Sequence, residues 1–379
     1  MNKVLVLVYT VACTIGVAYG AHAPLVPVFA KEDLSATYFD IGIIGMANYV
    51  PYMFAPAFVG LLLDRFNKGV ILSIGIAMGM VSVFLLAFAN NVFDARLVRA
   101  LTGIAHAFLW PSAESIVAAA TPPEKRVRAI SKFTMAWVAG YMAGPLIGAL
   151  LFEAVGFRLL FEYSSAIIVV ALIAALMLIR HGGEIRHEKY SIADVLTIIK
   201  INPKISVLVM YYSAAFGIVL TIFPAYLKDN TINEFFIGVL FFIFGLSRLL
   251  TLPFTHRFGL HERSSIFVAT QAIAFAMLIA YLFTTLSSFS LSLILFGFAF
   301  SLYFPITLSL ITKQVSGKMI GISVGAYETI FGIGWTIGPT ISGIAADVFG
   351  SNTPYISMFI IGVVLPVMIL AKQKARKEV

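Results

Sequence analysis

Six ionisable side chains stand inside otherwise apolar runs: His22, Arg99, His106, Glu114, Arg248 and Glu328. Such a group is expensive at membrane depth, so it is kept where it pairs, titrates or binds. Glu328 is the sharpest candidate for a proton-coupling carboxylate. Loss of water favours the neutral form of an acid, a nearby guanidinium favours the ionised form, and a substrate that screens the guanidinium changes the balance. Arg248 is the candidate guanidinium. It lies eight residues before the connector that begins at His256, and Glu328 lies eight residues after about Ile320, so the two fall at similar depth. Glu114 is a rival carboxylate that could instead pair with Arg65 at the membrane face, His106 is an imidazole that can titrate near neutral pH, and Arg99 is a further cation at depth. Each has a static alternative: a structural Glu328–Arg248 ion pair, hydrogen-bonded packing histidines, and an Arg99 that snorkels to headgroups. His22 and His106 are not at metal-ligand spacing, and no metal site is expected.

Groups of this kind need helices that cross a bilayer. The chain is 60% hydrophobic and 12% charged over 379 residues, with a mean hydropathy of +0.97. A spanning helix takes roughly 20 apolar residues, and the apolar runs here are long and continuous rather than short and alternating, which excludes a β-barrel. About twelve spans follow, near 4–30, 40–63, 70–89, 93–119, 128–154, 158–180, 204–227, 235–255, 264–284, 287–312, 320–347 and 354–371. Val4–Ala18 followed by Ala21-His22-Ala23 imitates a signal peptide, but the apolar character continues to Ala30, so this stretch is read as the first span. The single cysteine, Cys13, excludes an intrachain disulfide.

One long polar connector, about Arg180 to Pro203, divides six spans from six. The expected organisation is a six-helix bundle over 1–180, a cytoplasmic linker over 181–203 in which Ser191–Ile201 forms a short interfacial helix, and a second bundle over 204–379 with a basic tail. Lys and Arg crowd one set of connectors: Arg65/Lys68, Lys125/Arg126/Arg128, Arg180/Arg186/Lys189, Arg257/Arg263, Lys313/Lys318 and Lys372–Lys377. The other set holds little beyond Lys31, Arg96, Arg158 and Lys228. The excess of +8 is therefore an orientation signal rather than a nucleic-acid footprint, and it puts both termini in the cytoplasm of a cell-membrane protein.

The halves repeat. Gly103-Ile-Ala105 leading to Trp110-Pro111 parallels Gly297-Phe-Ala299 leading to Phe304-Pro305. Gly140, Gly144, Pro145 and Gly148 parallel Gly334, Gly338 and Pro339, with Gly343 one place late. Phe39-Asp-Ile-Gly42 parallels Phe235-Phe-Ile-Gly238, and Asp64-Arg65-Phe66 parallels His256-Arg257-Phe258. Two six-span halves inserted the same way are related by an axis along the membrane normal.

The stretch Gly60-Leu-Leu-Leu-Asp64-Arg65-Phe66-Asn67-Lys68 joins spans two and three. It resembles the cytoplasmic G-x-L-x-D-R-x-G-R-[RK] signature of the major facilitator superfamily, departing at Asn67 and Gly69, with Asn67 expected to tolerate the left-handed backbone of the family's glycine. Arg99-x-x-Thr102-Gly103 resembles the family's helix 4 signature, whose arginine is linked to proton movement. Gly140-x-x-x-Gly144-Pro145-x-x-Gly148 resembles the helix 5 signature associated with its proton-coupled exporters. The resemblance covers essentially the whole chain and implies an all-α fold of twelve transmembrane helices in two bundles related by a pseudo-two-fold axis.

On that resemblance, Gly60, Asp64, Arg65 and Lys68 form a cytoplasmic gate, with Asp64 facing the positive N-terminus of helix 11 near Gly317–Ile320 when that side is closed. His256 makes the mirrored latch weaker or pH-sensitive. Gly140, Gly144, Pro145 and Gly148, with Gly334, Gly338 and Pro339, form a close-packed, bendable seam between the halves. His22, Trp110, Tyr211, Tyr212, Tyr303 and Phe304 are the candidates for a cavity that suits apolar or amphipathic ligands.

The leading expectation is a monomeric secondary transporter that exports amphipathic compounds or metabolites against protons, working by alternating access. An importer or facilitator of a sugar or organic acid is the rival, favoured if Arg248 or Arg99 grips a carboxylate. A non-transporting sensor on the same fold is the third reading. No Walker loop or nucleophile–base set is present in the sequence, so neither ATP-driven transport nor enzymatic chemistry is expected, and no cofactor is expected beyond the proton gradient.

Overall fold

The computed structural model describes residues 2–63, 65–122, 125–181, 203–255, 262–312 and 320–374. Twelve membrane-spanning helices account for nearly all of them. α1 runs Lys3–His22 and continues through a 3-10 turn into Val26–Glu32; α2 is Tyr38–Leu63, α3 Lys68–Leu86 and α4 Val92–Ala119. α5 and α6 share one continuous helix, Arg126–Leu178, which breaks at Gly156. Its φ of +73° is open to glycine at little cost, and this single residue lets 126–155 and 157–178 run as separate antiparallel spans. α7 is Pro203–Thr221 extended by Phe223–Asp229; α8 is Glu234–Thr251, α9 Glu262–Leu282, α10 Leu286–Thr312, α11 Ile320–Phe349 and α12 Thr353–Lys374.

Local chemistry sets several starts. Asn91 caps α4 by accepting from the Asp94 amide, and Asn233 caps α8 by accepting from Phe236. Asn67 starts α3 in the same way. Its backbone is extended (φ −60°, ψ 123°), its side-chain oxygen accepts from Gly69 at 2.8 Å, and its amide donates to the Ile179 carbonyl at 2.9 Å. The left-handed turn expected at Asn67 is thus replaced by a helix cap. The next departure from the signature, Gly69, also has a steric cause: a Cβ there would lie 2.7 Å from the Ile179 amide at the end of α6.

Packing follows the repeat. In the first half α1 lies on α5, α2 and α3 on α4, and α3 on α6; in the second α7 lies on α11, α8 and α9 on α10, and α9 on α12. Across the seam α2 meets α11 and α8 meets α5. Two helix pairs related by the pseudo-two-fold axis therefore join the halves. The linker call over 182–202, with its interfacial helix, lies outside the described residues, as do Asp64, His256 and Gly317.

Candidate functional site

The glycine spacings settle how the helices approach. Gly140, Gly144 and Gly148 press on the α1 backbone at Cys13, Gly20 and Ala21, and Gly334 and Gly338 press on α7 at Met210, Ser213 and Ala214. These glycines pack helices within each half, because that face of α5 or α11 turns inward. Across the seam the close approaches include those at Pro145, Pro339 and Gly343. A Cβ at Gly42 of α2 would stand 2.6 Å from the Pro339 carbonyl oxygen, and one at Gly238 of α8 would stand 2.5 Å from that of Pro145. The same contact is made twice, once in each direction.

At the end of the molecule that carries Lys31, charges close the seam. Lys31 pairs with Asp229 at 2.5 Å, and Lys228 pairs with Glu32 at 3.0 Å and with Glu234. The Tyr38 hydroxyl donates to Asp229, and Lys31 lies 4.1 Å over the Tyr38 ring. Asp347, near the end of α11, accepts from the amides of Tyr38 at 2.9 Å and Phe39 at 2.8 Å, so one half caps a helix of the other. Arg96 pairs with Asp40 within the first half.

Deeper in, the first half presents a polar wall. Tyr19 and His22 come from α1, Arg99 and His106 from α4. The Tyr19 ring lies 4.7 Å from His106 and 5.3 Å from His22. His22 is fully buried, donates from Nδ1 to the Ala18 carbonyl at 2.8 Å, and meets Phe161 edge-on. Among the described residues the Tyr19 hydroxyl, Nε2 of His22 and His106, and Nε of Arg99 are buried without a hydrogen-bond partner. Trp110 turns to α5, 4.6 Å from Trp137 and 6.0 Å from Phe133.

The second half presents an aromatic wall. Phe216 of α7 lies 4.1 Å from Phe300 of α10 and 4.6 Å from Trp335 of α11. The Arg248 guanidinium lies 4.6 Å over Phe300 and 5.5 Å over Phe244. Tyr212 stacks on Tyr303 at 4.6 Å and shares a hydrogen bond with Tyr327, which meets Thr307 at 3.1 Å. Phe304 meets Tyr327 edge-on. Tyr211 is the exception among the cavity candidates: its hydroxyl donates to Met358 of α12, away from the seam. Adjacent helical residues point about 100° apart, so Tyr211 and Tyr212 do not share a face.

Two pairings from the sequence do not form. Arg248 makes no ion pair with Glu328; its electrostatic neighbours are Tyr141 and Tyr212. Arg65 is exposed and does not reach Glu114. Glu114 of α4 is exposed and Glu328 of α11 is half-buried, and neither has an ion-pair partner among the described residues. Depth along a helix does not supply the azimuth that decides an acid's partner. Residues not singled out in the sequence also matter here. Tyr49 of α2 stacks on Trp335 of α11 at 3.8 Å across the seam, and Tyr141 of α5 lies within reach of both Arg99 and Arg248. Tyr141 and Trp335 occupy matching places in the two Gly-Pro segments, which was the one available signal.

Comparison with known proteins agrees with this architecture. The family model described as Major Facilitator Superfamily matches residues 8–226 and 205–378. "Quinolone resistance protein NorA" of Staphylococcus aureus (strain MRSA252) is 24% identical over 388 residues, covering 100% of this chain and 98% of the relative. An "Uncharacterized MFS-type transporter" of Methanocaldococcus jannaschii is 26% identical over 365 residues, 94% of each chain. Among solved structures, a POT family transporter in complex with a thioalcohol conjugated peptide superposes with a TM-score of 0.86 at 12% identity over 98% of this chain and 96% of its own. The nucleoside transporter NupG gives 0.76 at 16% identity over 98% and 99%.

Proposed function

The chain belongs to the Major Facilitator Superfamily, and from that premise we propose that it is a proton-coupled exporter of amphipathic small molecules. The observation that carries the reading is that Glu114 of α4 and Glu328 of α11 stand in membrane helices of opposite halves with no ion-pair partner for either among the described residues. A carboxylate in an apolar helix with no counter-charge holds a proton more readily than one in water, and a proton held in either half is placed to respond to movement of the halves. Phe216, Phe300 and Trp335 are buried against one another in this state, and such rings suit an apolar ligand once the halves move apart. The whole-length likeness to NorA, whose name records quinolone resistance, supports export over import.

In this reading the Lys31 end faces outward and is sealed, the Arg-rich connectors and both termini lie in the cytoplasm of a cell-membrane protein, and the monomer is the working unit. Alternating access consists of breaking the Lys31 and Lys228 pairs as the Arg65 end closes. The test is a proteoliposome assay with an internal pH dye and a panel of amphipathic dyes. Compound-evoked pH change that reverses sign with the imposed gradient is expected. Movement of compounds with no pH response in either direction would remove proton coupling.

Importing an organic acid is the second reading. Two arginines without acid partners favour it, and the direction of net movement under a proton gradient decides between the two.

A further inference from the structure

We propose that a cleft between the start of α1 and the start of α5, at the end of the molecule away from Lys31, binds the headgroup of an anionic phospholipid. The cleft holds about 470 Å³, within the roughly 300–1,000 Å³ of small-ligand sites. Asn2, Leu5 and Tyr9 line one wall, Lys125, Arg128 and Lys132 line the other, and the end of α4 closes it. Each trio is spaced i, i+3, i+7, so each occupies one face of its helix. The walls are fixed without using the cations. The Tyr9 hydroxyl donates to the Ala129 carbonyl at 3.1 Å, and the Asn2 side-chain amide donates to the Ala120 carbonyl at 3.2 Å. Lys125, Arg128 and Lys132 are exposed and form no ion pair among the described residues.

An orientation signal does not account for this stripe. Orientation needs Lys and Arg in a connector and on no particular face, whereas these three descend about 10 Å along α5 at 1.5 Å per residue. Residues 122–132 hold four cations against one acid, Glu124. The repeat does not demand the stripe either. With Gly140 matched to Gly334, the three cations fall on Met319, Ile322 and Ala326 in the second half. One turn deeper the same face of α5 continues as Met135, which is 52% exposed. Cations at the surface followed by an apolar side chain toward the hydrocarbon is the order of a phospholipid, headgroup first and chains after. A free phosphate would use only the first part. Basic clefts between membrane helices hold such headgroups by charge, and Arg128 can add a bidentate grip on phosphate oxygens.

The experiment is native mass spectrometry of the purified full-length protein in detergent. It is titrated with phosphatidylglycerol, with phosphatidylcholine of the same acyl chains, and with sn-glycerol 3-phosphate. The wild-type protein should bind its first phosphatidylglycerol at least about tenfold more tightly than phosphatidylcholine, and glycerol phosphate should not displace it. R128Q/K132Q should bring the two lipids to within about twofold of each other. R180Q/R263Q removes the same charge from exposed sites elsewhere and should leave the preference in place. L5W keeps every charge but fills the cleft, and it should weaken phosphatidylglycerol binding as much as R128Q/K132Q does. Thermal unfolding midpoints check that each variant is folded. Equal affinity for the two lipids in the wild type overturns the proposal, and so does an equal loss in the two double variants. Wild-type binding in folded L5W also overturns it, because charge without the cleft would then attract the lipid. Displacement by glycerol phosphate at matching affinity would make the ligand a free anion instead. The assay uses no gradient and no transported compound, so its outcome is independent of the transport reading.

Discussion

Tyr19 against His106 in the first half and Phe216 against Phe300 in the second are equivalent pairs, 197 and 194 residues apart, and both are in ring contact. One wall is polar and the other apolar on matching backbones. The charges are more one-sided still. Arg99 corresponds to Leu293, Glu114 to Leu308 and Glu328 to Thr134. At the Lys31 end the opposite holds: Lys31 and Glu32 recur as Lys228 and Asp229, and the ion pairs cross reciprocally, Lys31 to Asp229 and Lys228 to Glu32. The Gly42–Pro339 and Gly238–Pro145 contacts are likewise mirror copies. Parts that must open and close together keep the symmetry. Parts that handle a ligand or proton lose it, because a single small molecule has no two-fold axis to match.

The strongest break of that comparison is Glu328 against its equivalent Thr134. Glu328→Gln should lower compound-evoked proton movement in proteoliposomes at least about tenfold, since a group that carries the proton has no neutral substitute. Thr134→Ala, whose hydroxyl donates to the Ile130 carbonyl of its own helix, should stay within about twofold. Equal losses in the two variants would mean that the halves share the coupling and that the asymmetry is decorative.

The seam glycines test the symmetric part. Leucine at Gly42 or at Gly238 overpacks a helix crossing against a proline carbonyl 2.6 or 2.5 Å from the new Cβ. Overpacking of this kind costs about 1–3 kcal/mol. Both variants should therefore move the balance away from closure of the Lys31 end by a similar amount. Accessibility of single cysteines placed near Asp229 to an impermeant thiol reagent, in a Cys13→Ser background, reads the shift. A shift in only one of the two would show that one seam, α2–α11 or α8–α5, governs closure alone.

Much of this was legible in the sequence, and the physical reason differs by feature. Run length fixed the twelve spans, because hydrocarbon thickness sets helix length almost independently of neighbours. The break at Gly156 fell in the gap left between the fifth and sixth spans. The repeat pointed to Gly42, Gly238, Pro145 and Pro339, but spacing alone did not say that Gly140, Gly144, Gly148, Gly334 and Gly338 serve contacts inside each half while Pro145, Pro339 and Gly343 serve the seam. The side chains of the site were half legible. An ionisable residue in an apolar run announces itself, so Arg99, Glu114, Arg248 and Glu328 were readable, whereas Tyr49, Tyr141 and Trp335 look like ordinary apolar-run aromatics until the helices are rotated into place. Partnerships were the least legible, since a rotation of one helix by a single residue step changes which group faces which.

The smallest expected effect concerns the ion pairs that bridge the halves. Lys31 and Asp229 keep 23% and 34% exposure and Lys228 keeps 27%, so each pair is worth no more than about 0.5–1 kcal/mol. Removing Lys31 by K31A should change the open-to-closed ratio by about twofold to fivefold, well below the effect of the seam leucines. The reciprocal arrangement makes a sharper test than either deletion. K31D combined with D229K exchanges the two charges without removing the pair and should recover most of what K31A loses. Asp229 also accepts from the Tyr38 hydroxyl, and Lys31 also covers the Tyr38 ring, so the swap cannot restore everything. The mirror exchange, E32K with K228E, should recover less, because Lys228 also serves Glu234 and a glutamate at 228 would face that carboxylate unpaired. If the two exchanges recover equally, Glu234 contributes nothing to closure and the lock is as symmetric in energy as it is in sequence.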